Sequence, residues 1–233
     1  MNPLLRQSAA HVFVDDLLQP VLNDNDESHL RKSLRLRSGE SVSVSDGAGS
    51  WRMSQWSGTH ELELAGEIQT EIAPTPLVSV AVSPVKGDRT DYAVEKLVEV
   101  GIDKIIVLAP MRRSVVRWDR DKTEHHLDRL RRIARGAAMQ SRRVFLPEVV
   151  GAMSLADVAA MPGAVFAEPG GTTPIGECGV VVIGPEGGFD DDELTLAKGT
   201  VDLGPAILRA ETAAIVAGTL MVAHRTRHSD HTG

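Results

Sequence analysis

The sequence predicts an α/β fold, in which a C-terminal domain with a mainly parallel sheet follows a small N-terminal β-barrel. Three observations predict it. From Leu77 onward, short apolar runs alternate with amphipathic helical stretches, the rhythm of βαβ units. Between His11 and Ile68, short alternating segments are separated by turn residues, as in a small barrel. Ala73-Pro74-Thr75-Pro76 divides the two regions, because its prolines disfavour helix and withdraw backbone donors. The domains are therefore set at 1–72 and 77–228.

In the first region, residues 11–14 are apolar and β-branched, and 41–45 read Ser-Val-Ser-Val-Ser, suited to a half-buried strand. Asp46-Gly47, with Gly49 behind it, signals a hairpin turn. Residues 51–56 and 61–68 continue the strand pattern. Residues 28–36 are the one helical piece, with Leu30 and Leu34 one turn apart. In the second region, strands are predicted at 77–82, 104–109, 164–167, 180–183 and 201–203. Helices are predicted at 88–100, 121–140, 190–198 and 211–224. Asp88 starts the first of these and Gly101 stops it. Asp190 and Glu193 stand at capping-box spacing. The polar tail 225–233 is expected to fray. Ligands of parallel sheets bind outside the carboxyl ends of the strands, which directs attention to the loops after 164–167, 180–183 and 201–203.

Composition narrows the function. Hydrophobic residues make up 42% and charged residues 24%, ordinary globular usage that excludes a disordered chain. The single cysteine, Cys178, rules out an intrachain disulfide framework and argues against a cysteine zinc site, so no metal is expected. It reads as a packed residue. No run reaches the roughly 18 apolar residues of a membrane span, and residues 1–10 lack the apolar core of a signal peptide. A cytoplasmic protein with no membrane partner is expected. The net charge of −7 hides an asymmetry. Residues 1–72 carry six Lys/Arg against eleven Asp/Glu, whereas 104–143 carry twelve against four. Salt screens charges beyond about 8–10 Å, so a phosphate backbone would respond to the local excess rather than to the total. The basic stretch is either such a surface or a solvated helix face.

Two segments could carry chemistry. In VVVIGPEGGF, residues 180–189, a buried strand turns through Gly184, Pro185 and Glu186 and leaves through Gly187 and Gly188. Glycines let a ligand approach the backbone, while Glu186 and Asp190-Asp191-Asp192 would repel an anion. The segment is either a tight strand-to-helix turn or a backbone cradle for a neutral or cationic ligand. Neither G-x-x-x-x-G-K-[ST] nor G-x-G-x-x-G occurs, which argues against triphosphate and Rossmann cofactors. In LGPAILRAETAAIVA, residues 203–217, Gly204-Pro205 ends a strand and Arg209, Glu211 and Thr212 open an apolar helix. Glu211 suits the helix dipole. Arg209, flanked by Ile207, Leu208 and Ala210, calls for a ligand or for an ion pair with Glu186 or Glu211.

GPEGGF followed by LGPAILRAETA resembles the paired C-terminal motifs of SPOUT-class methyltransferases, and within them the RsmE family of ribosomal small subunit RNA uridine-N3 methyltransferases. Upstream, Val85-Lys86-Gly87-Asp88-Arg89, Glu95-Lys96-Leu97-Val98-Glu99-Val100-Gly101, Arg113-Ser114-Val115 and Ala138-Met139-Gln140-Ser141-Arg142-Arg143 are also similar. So are His29-Leu30-Arg31 and Asp46-Gly47, landmarks of that family's PUA-like barrel. The likeness spans about residues 10–224. It departs at Ala206, commonly Arg in the family, at Ala210, often Thr, and at Leu130, often aromatic.

The resemblance implies a trefoil-knotted SPOUT domain, a PUA-like RNA-binding domain and a homodimer. It implies S-adenosyl-L-methionine (SAM) bound by Glu168 and Pro169, by Gly184, Pro185, Glu186 and Gly187, and by Leu203, Gly204, Ile207, Leu208 and Ala213. The partner would be small-subunit ribosomal RNA, free or in the assembled subunit. Uracil N3 carries a proton, so a base or an anion-stabilising cation is needed; Glu211 is the candidate base and Arg209 the candidate cation. The RNA surface would comprise Arg31, Arg35, Arg112, Arg113, Arg117, Arg132, Arg135, Arg142 and Arg143. Trp51 and Trp56 read first as barrel core and second as base-stacking groups. The rival functions are ribose 2′-O methylation on the same fold and a non-enzymatic role in ribosome assembly.

Overall fold

A computed structural model describes residues 2–229 of the chain. Two compact units emerge. One comprises Met1–Ala73 with Ala138–Leu146, and the other comprises Pro74–Ala137 and the chain from Pro147 onward. The break between Ala73 and Pro74 lies within the proline-rich segment. The second unit is not the unbroken 77–228 expected, because residues 138–146 supply part of the first unit's core.

The first unit contains α1 (Pro3–Gln7), β1 (Ala10–Phe13), α2 (Asp24–Ser28), β2 (Ser41–Ser45), β3 (Ser50–Trp56), β4 (Leu62–Leu64) and β5 (Gln69–Thr70). They form a five-stranded sheet with the path β1-β2-β3-β4, and β5 pairs with β3. The β1–β2 pair is parallel and the others are antiparallel. Val12, Val42, Val44, Leu30, Trp51 and Trp56 are buried. Both tryptophans are core, so neither offers a face to a base. Val144 packs on Leu5 and Trp51, and its carbonyl accepts from Ser45 Oγ at 3.0 Å. Gly49 leaves room for Phe145, whose ring would lie 2.4 Å from an added Cβ. The helix expected at 28–36 becomes α2, capped by the Asn23 side chain, followed by a π-helical turn over His29–Ser33.

The second unit is built on six parallel strands: β6 (Ser79–Val82), β7 (Lys104–Leu108), β8 (Glu148–Met153), β9 (Ala164–Ala167), β10 (Val180–Ile183) and β11 (Thr200–Val201). Their order is β11-β9-β10-β6-β7-β8. The fully buried β10 is an unbroken apolar run, and the fully buried β6 is one after Ser79, because both sheet faces are covered. The helices are α3 (Arg89–Val100), α4 (Arg120–Gln140), α5 (Leu155–Ala159), α6 (Asp191–Leu194) and α7 (Ala210–Ser229). Asp88 makes no side-chain capping bond to α3, which ends at Gly101 with φ 107°. Gly218 lets α7 lie against α3 and its following loop, since a Cβ there would meet Leu97 at 2.8 Å and Ile102 at 3.1 Å.

Three local expectations change. The helix at 190–198 is a single turn, although its capping box forms: Asp190 Oδ1 accepts from the Glu193 amide at 2.7 Å, and Glu193 Oε2 from the Asp190 amide at 2.9 Å. Strand β8 was not predicted, because Gly151 interrupts an otherwise weak pattern. Helix α7 continues to Ser229, so residues 225–229 are helical; residues 230–233 of the expected tail lie outside the described residues.

Candidate active site

The loops after β9, β10 and β11 meet at one end of the parallel sheet, because β11, β9 and β10 are neighbours. They enclose a cleft of about 480 Å³, within the range of roughly 300–1,000 Å³ typical of small-molecule sites. All eleven residues expected at a cofactor site line it: Glu168 and Pro169 from the first loop, Gly184, Pro185, Glu186 and Gly187 from the second, and Leu203, Gly204, Ile207, Leu208 and Ala213 from the third and the start of α7. Asp202, Ala206 and Phe189 complete much of the remaining wall.

Each loop is held by specific contacts. Phe189 stacks on Phe166 of β9 with centroids 4.7 Å apart, closing the β10 loop onto the sheet. Gly184 permits this, since a Cβ would meet the Phe189 ring at 3.2 Å. The Arg113 guanidinium donates to the carbonyls of Gly187 at 3.1 Å and Phe189 at 2.9 Å. Arg89 donates to Glu186 Oε1 at 2.8 Å and stands 3.7 Å from Glu211 Oε2. In the first loop, burial pushes the Glu168 carboxyl above the usual carboxylate range. In the third, the amides of Gly204 and Gly170 hold Asp202 below it.

The two expected catalytic residues part company. Arg209 lines the cleft and is exposed. Among the described residues its guanidinium has no hydrogen-bond or ion-pair partner. The apolar neighbours that made it seem enclosed do not cover it; Ile207 is 92% exposed. Glu211 instead turns inward, to a small cavity lined by Val82, Ser83, Val85 and Thr90. It is buried, and its Oε2 has no hydrogen-bond partner. Arg89, not Arg209, faces both Glu186 and Glu211.

The expected RNA-binding arginines also divide. Arg113 is committed to the β10 loop. Arg112 pairs with Asp190 at 3.2 Å and Asp192 at 2.7 Å, and Arg31 with Glu27 at 2.8 Å. Arg142 belongs to the first unit, where it donates to the Ser8 carbonyl at 2.8 Å. Arg135 and Arg143 are half-buried. Arg35, Arg117 and Arg132 remain exposed, with Arg117 donating to the Arg112 carbonyl at 3.2 Å. The stretch 104–143, whose net charge is +8 after its own carboxylates are counted (twelve Lys/Arg against four Asp/Glu), is thus shared between units and partly neutralised from outside by Asp190 and Asp192. Sequence reasoning missed Arg89 and Asp202 as site residues. Asp202 had one local signal, an Asp just before Leu-Gly-Pro that suits an Asx turn; Arg89 had none. Among the described residues, no group of three or more His, Cys, Asp or Glu is placed to hold a metal.

The parallel sheet and its cleft of three strand-end loops fall within residues 73–222, which the RNA methyltransferase domain model matches, so the chain belongs to that family. The chain belongs, more narrowly, to the ribosomal RNA small subunit methyltransferase E family. It is 31% identical over 217 residues to the Mycobacterium tuberculosis protein of that name, covering 83% of this chain and 82% of the relative. The Neisseria gonorrhoeae ribosomal RNA small subunit methyltransferase E, solved bound to S-adenosyl methionine, superposes with a TM-score of 0.77 at 26% identity, over 92% of this chain and 97% of the other. A methyltransferase from Legionella pneumophila, solved in complex with SAM, gives 0.79 at 25% identity, over 91% and 96%.

Proposed function

We propose that this chain is a SAM-dependent methyltransferase that methylates N3 of a uridine in small-subunit ribosomal RNA. The observation that carries the proposal is the convergence of three strand-end loops on one cleft of about 480 Å³. The lining suits SAM. Leu203, Ile207, Leu208 and Ala213 give an apolar wall for an adenosine, and the Gly-rich loops give backbone donors and acceptors. The lining carries three carboxylates, Glu168, Glu186 and Asp202, and one cation, Arg209, a balance that favours a sulfonium over a triphosphate. When bound, SAM supplies an electrophilic methyl group.

The protein's task is to orient the target base and favour loss of its N3 proton. With Glu211 turned inward, Arg209 is the group suited to this, by stabilising the anion that develops on the uracil oxygens. N3 lies on the pairing edge, so the base must be unpaired or flipped out to enter. Arg35, Arg117 and Arg132 are exposed and form no ion pair among the described residues, which suits them to RNA phosphates, contacts that position the strand without specifying it. The second unit would be a knotted SPOUT domain and the first a PUA-like barrel that adds shape recognition. A homodimer is supported by α7, whose middle stretch 213–223 is apolar on nearly every side yet leaves Leu220 40% exposed in the single chain. Such an enzyme works in the cytoplasm, beside its ribosomal RNA; no described helix is long and apolar enough to cross a membrane.

The test is incubation of small ribosomal subunits, and separately of free small-subunit RNA, with labelled SAM, followed by mapping of the product. A labelled uridine that stops reverse transcription supports N3 methylation. A labelled ribose with an intact pairing edge would replace it with 2′-O methylation. Absence of both label and SAM binding would leave a non-enzymatic assembly role.

A further inference from the structure

Parallel strands pair with one another along their length, but the loops at their carboxyl ends have no ladder to join. Their amides need other partners. Asp202 supplies two. Its Oδ1 accepts from the Gly204 amide at 2.9 Å, within the loop after β11. Its Oδ2 accepts from the Gly170 amide at 3.1 Å, in the loop after β9, 32 residues away in sequence. Both glycines have positive φ, 77° at Gly170 and 138° at Gly204, so each amide is presented by a backbone that few other residues adopt.

Among the described residues, Asp202 is the only side chain hydrogen-bonded across these two loops. Below it the backbone joins them, through the Glu168 amide on the Val201 carbonyl at 3.1 Å, the Thr173 amide on the Thr200 carbonyl at 2.8 Å and the bridge between Thr172 and Val201. The β10 loop is fastened separately, by Arg89, Arg113 and Phe189. Above these backbone bonds, two walls of the cleft thus share one side-chain tie, and Asp202 itself lies in the lining between them.

We propose that Asp202 is a positioning residue that straps the β9 and β11 loops together and pre-forms the cleft for its cofactor. The inference rests on the SAM reading of that cleft. A ligand entering an unstrapped cleft must order both loops as it binds, and that cost appears as lost affinity. D202A removes both bonds. D202N keeps one acceptor oxygen and sets an amide donor against the other glycine amide.

The experiment measures SAM binding by calorimetry in wild type, D202A and D202N, with amide hydrogen exchange on the same proteins without ligand. D202A is expected to bind SAM roughly ten-fold more weakly, with D202N between it and wild type. The Gly170 and Gly204 amides should exchange faster in both variants before any SAM is added. In turnover on ribosomal subunits the loss should fall on KM for SAM more than on kcat. D202N, nearly isosteric, carries the test if D202A is unstable. Wild-type affinity and unchanged exchange in the variants would overturn the strap. A wild type that binds no SAM would instead overturn the reading of the cleft, whatever the exchange rates show.

Discussion

The guanidinium of Arg89, on the first residue of α3, donates to the Glu186 carboxylate across 2.8 Å. The same group is 3.7 Å from Glu211, whose buried Oε2 has no hydrogen bond. One cation therefore ties the β10 loop, the start of α3 and the start of α7. Glu211 is the costly member, because an ionised carboxylate out of water depends on its cation.

Arg89→Ala should destabilise the protein by about 1–3 kcal/mol, discounted because Arg89 and Glu186 are each about a third exposed. Part of the loss should return in Arg89→Ala/Glu211→Gln, where the buried member of the cluster no longer carries a charge and only the more exposed Glu186 is left without its cation. Thermal melts of the two single variants and the double variant form the cycle that checks it. Simple additivity would mean that Arg89 and Glu211 do not interact.

Arg209→Ala should lower kcat by roughly 10²–10³-fold while SAM still binds, if its guanidinium stabilises the uracil anion. Glu211→Gln should change kcat far less, since Glu211 faces away from the cleft. Single-turnover methylation of ribosomal subunits distinguishes them. The reverse ranking would restore Glu211 as a base.

Gly171→Ala should cost about 1–3 kcal/mol by overpacking. Its added Cβ would sit 2.5 Å from the backbone of Val201, which cannot rotate aside as a side chain can. The expected signs are a lower melting temperature and weaker SAM binding. A melting temperature equal to wild type would show that the two loops have slack.

Glu168 and Asp202 should respond to pH in opposite senses. Burial raises the folded pKa of Glu168, so its contribution to stability is present while it is protonated and is lost as pH rises through the folded value. The amides of Gly204 and Gly170 lower that of Asp202, so its contribution is present above the unfolded value and is lost as pH falls through the folded one. Glu168→Gln should therefore melt higher than wild type at neutral pH, and the gap should close in acid. Melting curves across that range decide it; a gap independent of pH would mean that Glu168 ionises as easily folded as unfolded.

Much of this molecule was legible from local sequence. The runs at Ala164–Ala167 and Val180–Ile183 became strands with those same bounds, because apolar segments closed by Gly and Pro have few other ways to bury themselves. The loops that carry the eleven lining residues were legible for a related reason, whereas the residues themselves were expected from the family resemblance. Each loop begins just past a strand end, and in a parallel sheet those ends lie together. What local sequence could not supply was the partner of each charged side chain. Arg89 meets Glu186 across 97 residues, Arg113 meets Phe189 across 76, and Asp202 meets Gly170 across 32. Those pairings depend on the strand order β11-β9-β10-β6 and on which way each side chain leaves its loop. Periodicity fixes which face of an element is apolar, but it says nothing of which element lies beside it. The sequence by itself therefore determined the strands, the glycine turns and the wall of the cleft. Only the tertiary structure decided that Arg209 faces the cleft while Glu211 does not, because that choice belongs to the packing of α7 against β6 and α3.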